Sequence, residues 1–188
     1  MRSDGLSMND AQDASVIRGA GGRDGLSVHG FYLVVCVGPD GVEKWRDTIL
    51  NVVTTVGKND FLDKYLKGSA YTQTIRMGLK GTGSAVAGDT QSSHAGWLEE
   101  GLGNAPTYTG NRKDVTMGAA AGGVSTSPVQ SFAITSSGTV SGCFINNGGS
   151  ATKDDTSGVL FSAGDFTGGD KIVANLDTLN VTYTLTVT

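Results

Sequence analysis

Ser93 and His94 are the residues whose types could supply a nucleophile and its base. A serine nucleophile needs a histidine within reach and an acid that orients the histidine. These two residues are adjacent, and neighbours on a strand point to opposite faces, so they are poorly placed as a pair. The chain also has no H-E-x-x-H, G-x-S-x-G, phosphate-loop or dinucleotide-binding motif. The sequence therefore predicts no catalytic residues and a protein that is not an enzyme.

Adjacent carboxylates occur at Glu99-Glu100 and at Asp154-Asp155. Glycoside hydrolysis needs two carboxyl groups that face each other across a bond, which adjacency in sequence does not provide. The acidic segment 165–170 is too short to supply the alternating oxygen ligands of a calcium loop. We interpret these carboxylates as solvated loop residues, and we predict no metal and no cofactor.

The two cysteines, Cys36 and Cys143, lie in apolar, strand-like runs without a C-x-x-C motif or a nearby histidine. This context favours small core residues over a disulfide or a metal site. Trp45, Trp97 and Tyr108 could stack on sugars, but most aromatic residues occupy strand positions that face a core. The pattern favours packing roles for them.

The composition indicates one domain in a chain of 188 residues with a net charge of −4. Nucleic-acid affinity comes largely from clustered Lys and Arg, so this charge argues against direct nucleic-acid binding. The longest apolar run, Phe31 to Val37, falls far short of the roughly 20 residues of a membrane-spanning helix. We expect a soluble protein, made in a cytosol, that does not act at a membrane.

Two segments give the clearest strand signals. Phe31–Val37 is apolar on both faces, which predicts a strand covered on both sides, and Gly38-Pro39-Asp40-Gly41 then predicts a turn that leads into a returning strand, Val42–Thr48. From Asp177 to Thr188, apolar residues alternate with Asn and Thr, so Leu179 and Leu185 should face the core and Thr184 should face water. Weaker signals predict further strands at Tyr71–Leu79, Ala95–Glu99, Asp114–Met117, Val129–Thr135, Thr139–Asn146, Gly158–Ser162 and Lys171–Ala174. Of these, Val129–Thr135 and Thr139–Asn146 are predicted to form a hairpin that turns at Ser136-Ser137-Gly138.

One short helix is predicted before residue 68. Phe61, Leu62, Tyr65 and Leu66 share a helical face, Asn59 is a suitable N-cap, and Gly68 is a suitable stop. Short strands with turn signals between them are typical of all-β folds. We predict an antiparallel β-sandwich, jelly-roll-like, with one short helix; a closed barrel is the alternative.

Residues 1–30 differ from the sandwich domain predicted for residues 31–188. They are polar and glycine-rich, and they hold too few apolar residues to form a core of their own. We interpret them as an extended N-terminal arm. Its arginines, Arg2, Arg18 and Arg23, are the candidate contacts to a partner.

Three stretches together carry a family resemblance: Glu43 to Leu66, Ala87–Thr90 with Ser93–Trp97, and Gly158–Gly164 with the C-terminal strand. As a set they resemble a family of small virion structural proteins of tailed bacteriophages. The resemblance covers much of Val42 to Trp97 and the last thirty residues. It does not include the arm or the region 101–127, whose roles it leaves open.

The resemblance implies a capsid decoration or cement protein that binds the head shell through its β-sandwich and its N-terminal arm. The implied partners are the major capsid protein or other virion proteins, together with copies of the same chain in a homo-oligomer. The implied location is the virion, assembled in the host cytoplasm. A tail or neck component, including a receptor- or carbohydrate-binding module, is the alternative, and a carbohydrate-active enzyme is a third hypothesis.

Overall fold

A computed structural model describes residues 26–72 and 74–188 of the chain. The described part is antiparallel β-structure with one short helix, so the predicted all-β class is confirmed. Among the described residues, no helix has both the length and the apolar character needed to cross a membrane. The elements are β1 Val28–Val37, β2 Glu43–Val53, α1 Thr55–Tyr65, β3 Ile75–Lys80, β4 Lys113–Val115, β5 Val124–Thr126, β6 Gln130–Ala133, β7 Gly138–Val140, β8 Gly142–Asn147, β9 Val159–Phe166, β10 Lys171–Val173 and β11 Thr178–Val187.

The predicted hairpin of β1 and β2 is confirmed, with antiparallel pairing from Phe31 opposite Leu50 onward. The Gly41 amide donates to the Gly38 carbonyl at 2.9 Å and closes the turn. Gly41 has a φ of 78°, a conformation that a side chain would disfavour. β1 begins at Val28, so residues 28–30 of the predicted arm belong to this strand.

Nine strands of the described chain form one sheet, in the order β4-β3-β8-β9-β2-β1-β11-β5, with β6 also paired to β11. A separate two-stranded sheet joins β10 and β7. The large sheet curls, because the segment before β4 meets the end of β6 and the residues that follow it. There the Thr109 amide donates to the Ala133 carbonyl at 2.9 Å, and the Thr135 amide donates to the Thr107 carbonyl at 2.8 Å. The jelly-roll-like sandwich stays a prediction, since these strands do not divide into two separate facing sheets.

The core fills the inside of the curled sheet. Side chains from distant strands meet there, including Tyr32 of β1, Met77 of β3 and Phe132 of β6, all fully buried. Tyr32 and Tyr183 pack with ring centroids 4.7 Å apart. Tyr108 meets Phe132 edge-on at 5.0 Å. The core therefore ties together strands that are far apart in sequence.

The helix starts earlier than predicted. Its N-cap is Thr54, whose hydroxyl accepts a hydrogen bond from the Gly57 amide at 3.0 Å, and not Asn59. Gly57 is the buried residue of the helix, and a side chain there would collide with the Phe161 carbonyl of β9. Because the Gly57 side of α1 approaches β9, three residues of the predicted apolar face are exposed, Leu62, Tyr65 and Leu66, and Phe61 is half-buried.

The C-terminal strand follows the predicted alternation over its first half. Leu179, Val181 and Tyr183 are buried. Leu185 is only half-buried, and Thr184 on the other face is 9% exposed. The Thr184 hydroxyl lies 3.0 Å from that of Thr126 on β5. Leu185 packs against the core as predicted. The prediction that Thr184 faces water is wrong, because Thr184 lies beside Thr126 of β5 and is buried.

Several strand predictions need correction. The segment 129–146 was expected to be a hairpin, but β6 pairs with β11, and β7 pairs with β10. Residues 95–99 form no strand, and Glu99 makes only an isolated bridge with Lys80. β5 was not predicted. β5, β6 and β7 were misassigned because their true partners, β11 and β10, lie far away in sequence.

Candidate interaction surfaces and the polar cleft

A polar cleft of about 410 Å³ lies between the loop 91–104 and the loop 154–156. It brings together three of the sets singled out in the sequence, namely His94, the first of the Glu pair, and both members of the Asp pair. We define the polar cleft by its lining residues Gln91, His94, Trp97, Glu99, Asn104 and Asp154.

His94 is held against Trp97. The two rings stack with centroids 3.9 Å apart, and the Nδ1–H of His94 donates to the Trp97 carbonyl at 3.0 Å. Trp97 is in turn buried, and its Nε1–H donates to Asp89 at 2.9 Å. In this part of the chain the structure places no hydrogen bond between the Ser93 hydroxyl and His94. The contacts of His94 therefore position a loop and do not assemble a nucleophile with its base.

Glu99 is not the solvated loop carboxylate that the sequence indicated. It is 3% exposed and accepts two hydrogen bonds from Arg112, at 2.9 Å from Nε and 2.5 Å from Nη2. Burial raises the pKa of Glu99, and the bonds from Arg112 oppose that rise. Charge-assisted bonds of this bidentate kind are stronger than neutral ones, so the two side chains form one buried ionic unit.

Arg112 also fixes the wall of the polar cleft. Its guanidinium donates to the carbonyls of Ser150 at 3.2 Å and Asp155 at 2.7 Å. The Asp154 amide donates to Glu99 Oε2 at 3.0 Å. One arginine thus connects the loop 99–104 to the loop 150–155, which makes the base of the cleft rigid. No sequence signal identified Arg112, because its partners come from separate loops.

Glu100, like Glu99, is not the solvated loop carboxylate that the sequence indicated. It is 5% exposed, and its Oε2 has no hydrogen-bond partner among the described residues. Burial raises the pKa of Glu100 to about 7, with the Asp154 carboxylate adding to the rise and the Lys80 ammonium opposing it. Glu100 is therefore a carboxyl group that changes its charge near neutral pH.

We expect Glu100→Gln to stabilise the protein at pH 8. The pKa of Glu100 in the folded chain, about 7, lies above its ordinary value of 4.5, so the folded state holds the extra proton between these values. The contribution of protonated Glu100 to the free energy of unfolding is fully present below about pH 4.5. It is lost as the pH rises through 7, and the loss is at most about 3 kcal/mol. Thermal melts of both proteins from pH 5 to pH 8 measure this.

Glu43→Gln is the matched control, because Glu43 is exposed and paired with Arg46 at the surface. The difference in melting temperature between Glu43→Gln and the unchanged protein should stay small and nearly constant over the same pH range. Equal melting temperatures of Glu100→Gln and the unchanged protein at pH 8 would show that ionised Glu100 costs no stability.

The cysteines occupy the predicted core positions. Cys36 and Cys143 are free and fully buried. The Cys36 thiol donates to Asp177 at 3.7 Å, and burial raises the pKa of Cys36 to about 12. Burial likewise raises the pKa of Cys143. Both thiols therefore stay protonated at neutral pH, a state that is poorly nucleophilic and a poor metal ligand.

Within residues 26–72 and 74–188, no group of three or more His, Cys, Asp or Glu side chains is placed to hold a metal ion. The polar cleft offers amide, imidazole and carboxylate groups beside an indole ring. These groups can make hydrogen bonds to a polar ligand. The hydrogen bonds that these side chains already make within the protein hold the loops of the cleft in place.

β1 and β2 carry a partly exposed apolar surface, which we call the outer face. It consists of Phe31, Leu33, Val35 and Leu50 on the side opposite the core. Phe31 and Leu33 are 38% and 37% exposed, and Leu50 is 69% exposed. Phe31 lies directly opposite Leu50 in the register, so the surface is continuous across the two strands. The prediction that β1 is covered on both sides is wrong for the described residues.

The arginines proposed as partner contacts, Arg2, Arg18 and Arg23, lie outside the described residues. Their role stays a prediction.

Comparison of the chain with protein-family models, with curated proteins and with solved structures found no match.

Proposed function

We propose that this protein is a structural protein of a bacteriophage virion, a capsid decoration or cement protein that binds the head shell. The observation that carries the proposal is the outer face of β1 and β2. A continuous apolar surface on a folded domain is typical of a site that another protein covers. The proposed occupant is the major capsid protein, and copies of the same chain are the second class of partner.

The sequence of β1 supports coverage of its outer face. Strands that are apolar on both faces belong to sheets with both faces covered. Val34 and Cys36 point into the core and are fully buried, whereas Phe31 and Leu33 on the other side are not. Covering these side chains with a partner removes apolar area from water, at roughly 25 cal/mol per Å². Assembly onto a shell supplies such a cover.

The position of Leu50 connects this surface to the family resemblance. The stretch Glu43 to Leu66, which resembles phage virion proteins, forms β2, Thr54 and α1. This stretch contributes Leu50, the most exposed residue of the outer face. The resembling residues therefore include both part of the core and part of the proposed contact.

The polar cleft favours a second candidate, a tail or neck component that binds a receptor or a carbohydrate. Amide and carboxylate groups beside an aromatic ring are suited to hydroxyl-rich ligands. Asn104 and Asp154 provide such groups in the cleft, where the aromatic ring nearest to solvent is that of His94, stacked on the buried Trp97. Copy number separates the two candidates, because a head decoration protein occurs on the scale of the shell subunits and a tail protein occurs in few copies.

We expect Leu50→Lys to reduce the number of copies in purified particles severalfold while the protein stays folded. Leu50 is largely exposed, and surface substitutions usually change stability by no more than about 0.5 kcal/mol. The ammonium group of the new lysine would be buried in the middle of an apolar contact without a partner from the shell, which weakens the contact. Quantitative mass spectrometry of purified particles measures the copies.

Ile172→Lys is the matched control. Ile172 is 78% exposed and lies on β10 in the small sheet, so it offers the same change away from the outer face. Its copy number should equal that of the unchanged protein. Full incorporation of Leu50→Lys into particles would show that the outer face is not the contact with the shell. Absence of the unchanged protein from particles would contradict the virion proposal.

A further inference from the structure

Lys80, the last residue of β3, has a fully buried side chain. Its Nζ donates to the carbonyl oxygen of Gly81 at 3.0 Å and to that of Gly83. It also lies 5.6 Å from the centre of the ring of Trp97, which is itself buried. Lysine is almost never fully buried unless it is paired, because taking the ammonium charge out of water is costly. The burial of Lys80 therefore requires a partner that balances or removes this charge.

The partner is Asp165 of β9, which lies two strands away in the sheet. Lys80 and Asp165 are both opposite Gly142 of β8, one on each side of it. Neighbouring strands are about 4.8 Å apart, so the long lysine side chain has to cross the middle strand. The glycine at 142 presents no side chain to obstruct the crossing, and Lys80 Nζ reaches Asp165 Oδ1 at 2.5 Å.

The contact between Lys80 Nζ and Asp165 Oδ1 differs from an ordinary ion pair. Its angles are not those of a hydrogen bond, and Oδ1 is buried without a hydrogen-bond partner among the described residues. By contrast, Lys44 donates to both carboxylate oxygens of Asp177, at 2.8 and 3.1 Å, and its side chain is 43% exposed. Because Cγ of Asp165 is one bond of about 1.2 Å from Oδ1, Nζ lies within about 3.7 Å of Cγ. That distance is close to the roughly 3–3.5 Å that separates atoms poised to react.

We propose that Lys80 and Asp165 are joined by an isopeptide bond, an amide between the lysine Nζ and the aspartate Cγ. The reaction needs no further reagent. Nζ gives one proton to Oδ1, and the lone pair that this leaves on Nζ attacks Cγ. The bond between Cγ and Oδ1 then breaks, and Oδ1 leaves as water with a second proton from Nζ. The ammonium and the carboxylate thus become one neutral amide and one water molecule.

The surroundings of Asp165 favour this reaction. Asp165 Oδ2 accepts a hydrogen bond from the Ala85 amide at 3.3 Å. This donor faces the oxygen on which negative charge develops when Nζ attacks Cγ. The side chain of Asp165 is 39% exposed, which gives the released water a way out. The amide also removes the charge of the buried lysine, and the desolvation cost of the ammonium disappears with it.

The bond links β3 to β9 across β8 and closes a covalent loop that contains β4 to β8. A cross-link within a chain stabilises the fold mainly by restricting the unfolded state, and the effect grows with the length of the loop. The inference concerns one chain by itself and does not depend on the virion role. It assigns Lys80 and Asp165 as a site of covalent modification.

Mass spectrometry of the denatured full-length protein tests the proposal. We expect an intact mass that is lower by one water molecule than the mass of the sequence, after allowance for any loss of Met1. Trypsin does not cleave after an acylated lysine, so digestion should give a branched peptide that contains both Lys80 and Asp165. Lys44 and Asp177 are the internal control, and they should appear in separate linear peptides.

Asp165→Ala is the matched variant, because it keeps Lys80 and removes the carboxyl group that Nζ attacks. Its mass should equal that of its sequence, and trypsin should cleave after Lys80. An unmodified mass of the unchanged protein would show an ion pair only and overturn the proposal, whether or not the variant folds. A loss of water that maps to an Asp-Gly sequence such as Asp40-Gly41, without a branched peptide, would also overturn it.

Discussion

Replacing Arg112 by alanine is expected to lower the free energy of unfolding by about 3–5 kcal/mol. The substitution leaves the Glu99 carboxylate, which is 3% exposed, without its two bonds from the guanidinium. It also removes the donors to the carbonyls of Ser150 and Asp155. An uncompensated buried charge is among the most costly defects in a protein. Urea unfolding at pH 7 measures the loss.

Arg46→Ala is the control for this experiment. Its ion pair with Glu43 is exposed, and exposed pairs contribute about 0–1 kcal/mol. The double variant Glu99→Leu/Arg112→Met should recover much of the stability lost in Arg112→Ala, because no charge is then left buried. A loss below about 1 kcal/mol in Arg112→Ala would show that water or a rearranged loop compensates Glu99.

The fold could be predicted from the sequence where the signals are local. The β1–β2 hairpin was found because Pro39 and Gly41 specify the turn between two apolar runs. The start of α1 was missed, although Thr54 is a good N-cap, because the pattern of apolar residues pointed to a later start. The partner of β6 was missed because it is β11, whose pairing depends on the closing of the whole sheet. Strand pairs distant in sequence leave no local signal.

The candidate surfaces were harder to predict than the fold. Glu99 and Arg112 are thirteen residues apart and come from separate loops, so nothing in the spacing indicates their ion pair. The outer face was visible in the sequence as the apolar residues Phe31 and Leu33. Its exposure was not predictable, because a strand that is apolar on both sides fits a sheet covered by its own chain equally well. Exposure is a property of the assembled sheet.

Leu179→Ala is expected to lower the free energy of unfolding by about 2–5 kcal/mol, the usual range for a buried leucine. Leu179 is fully buried on β11, opposite Cys36 on one side and Phe132 on the other. The cavity would open where the two ends of the curled sheet come together, and it has packed side chains on both flanks. For a chain of this length the loss corresponds to a fall in melting temperature of roughly 4–20 °C.

Two other leucines make this prediction a graded test of burial. Leu185→Ala removes a half-buried side chain on the same face of β11, so its loss should be clearly smaller than that of Leu179→Ala. Leu50→Ala, on a residue that is 69% exposed, should change stability by no more than about 0.5 kcal/mol. Urea melts of the three variants should rank Leu179, then Leu185, then Leu50. A loss for Leu50→Ala as large as that for Leu179→Ala would mean that the outer face is already covered in the isolated protein, and the proposed contact with the shell would then have to lie elsewhere.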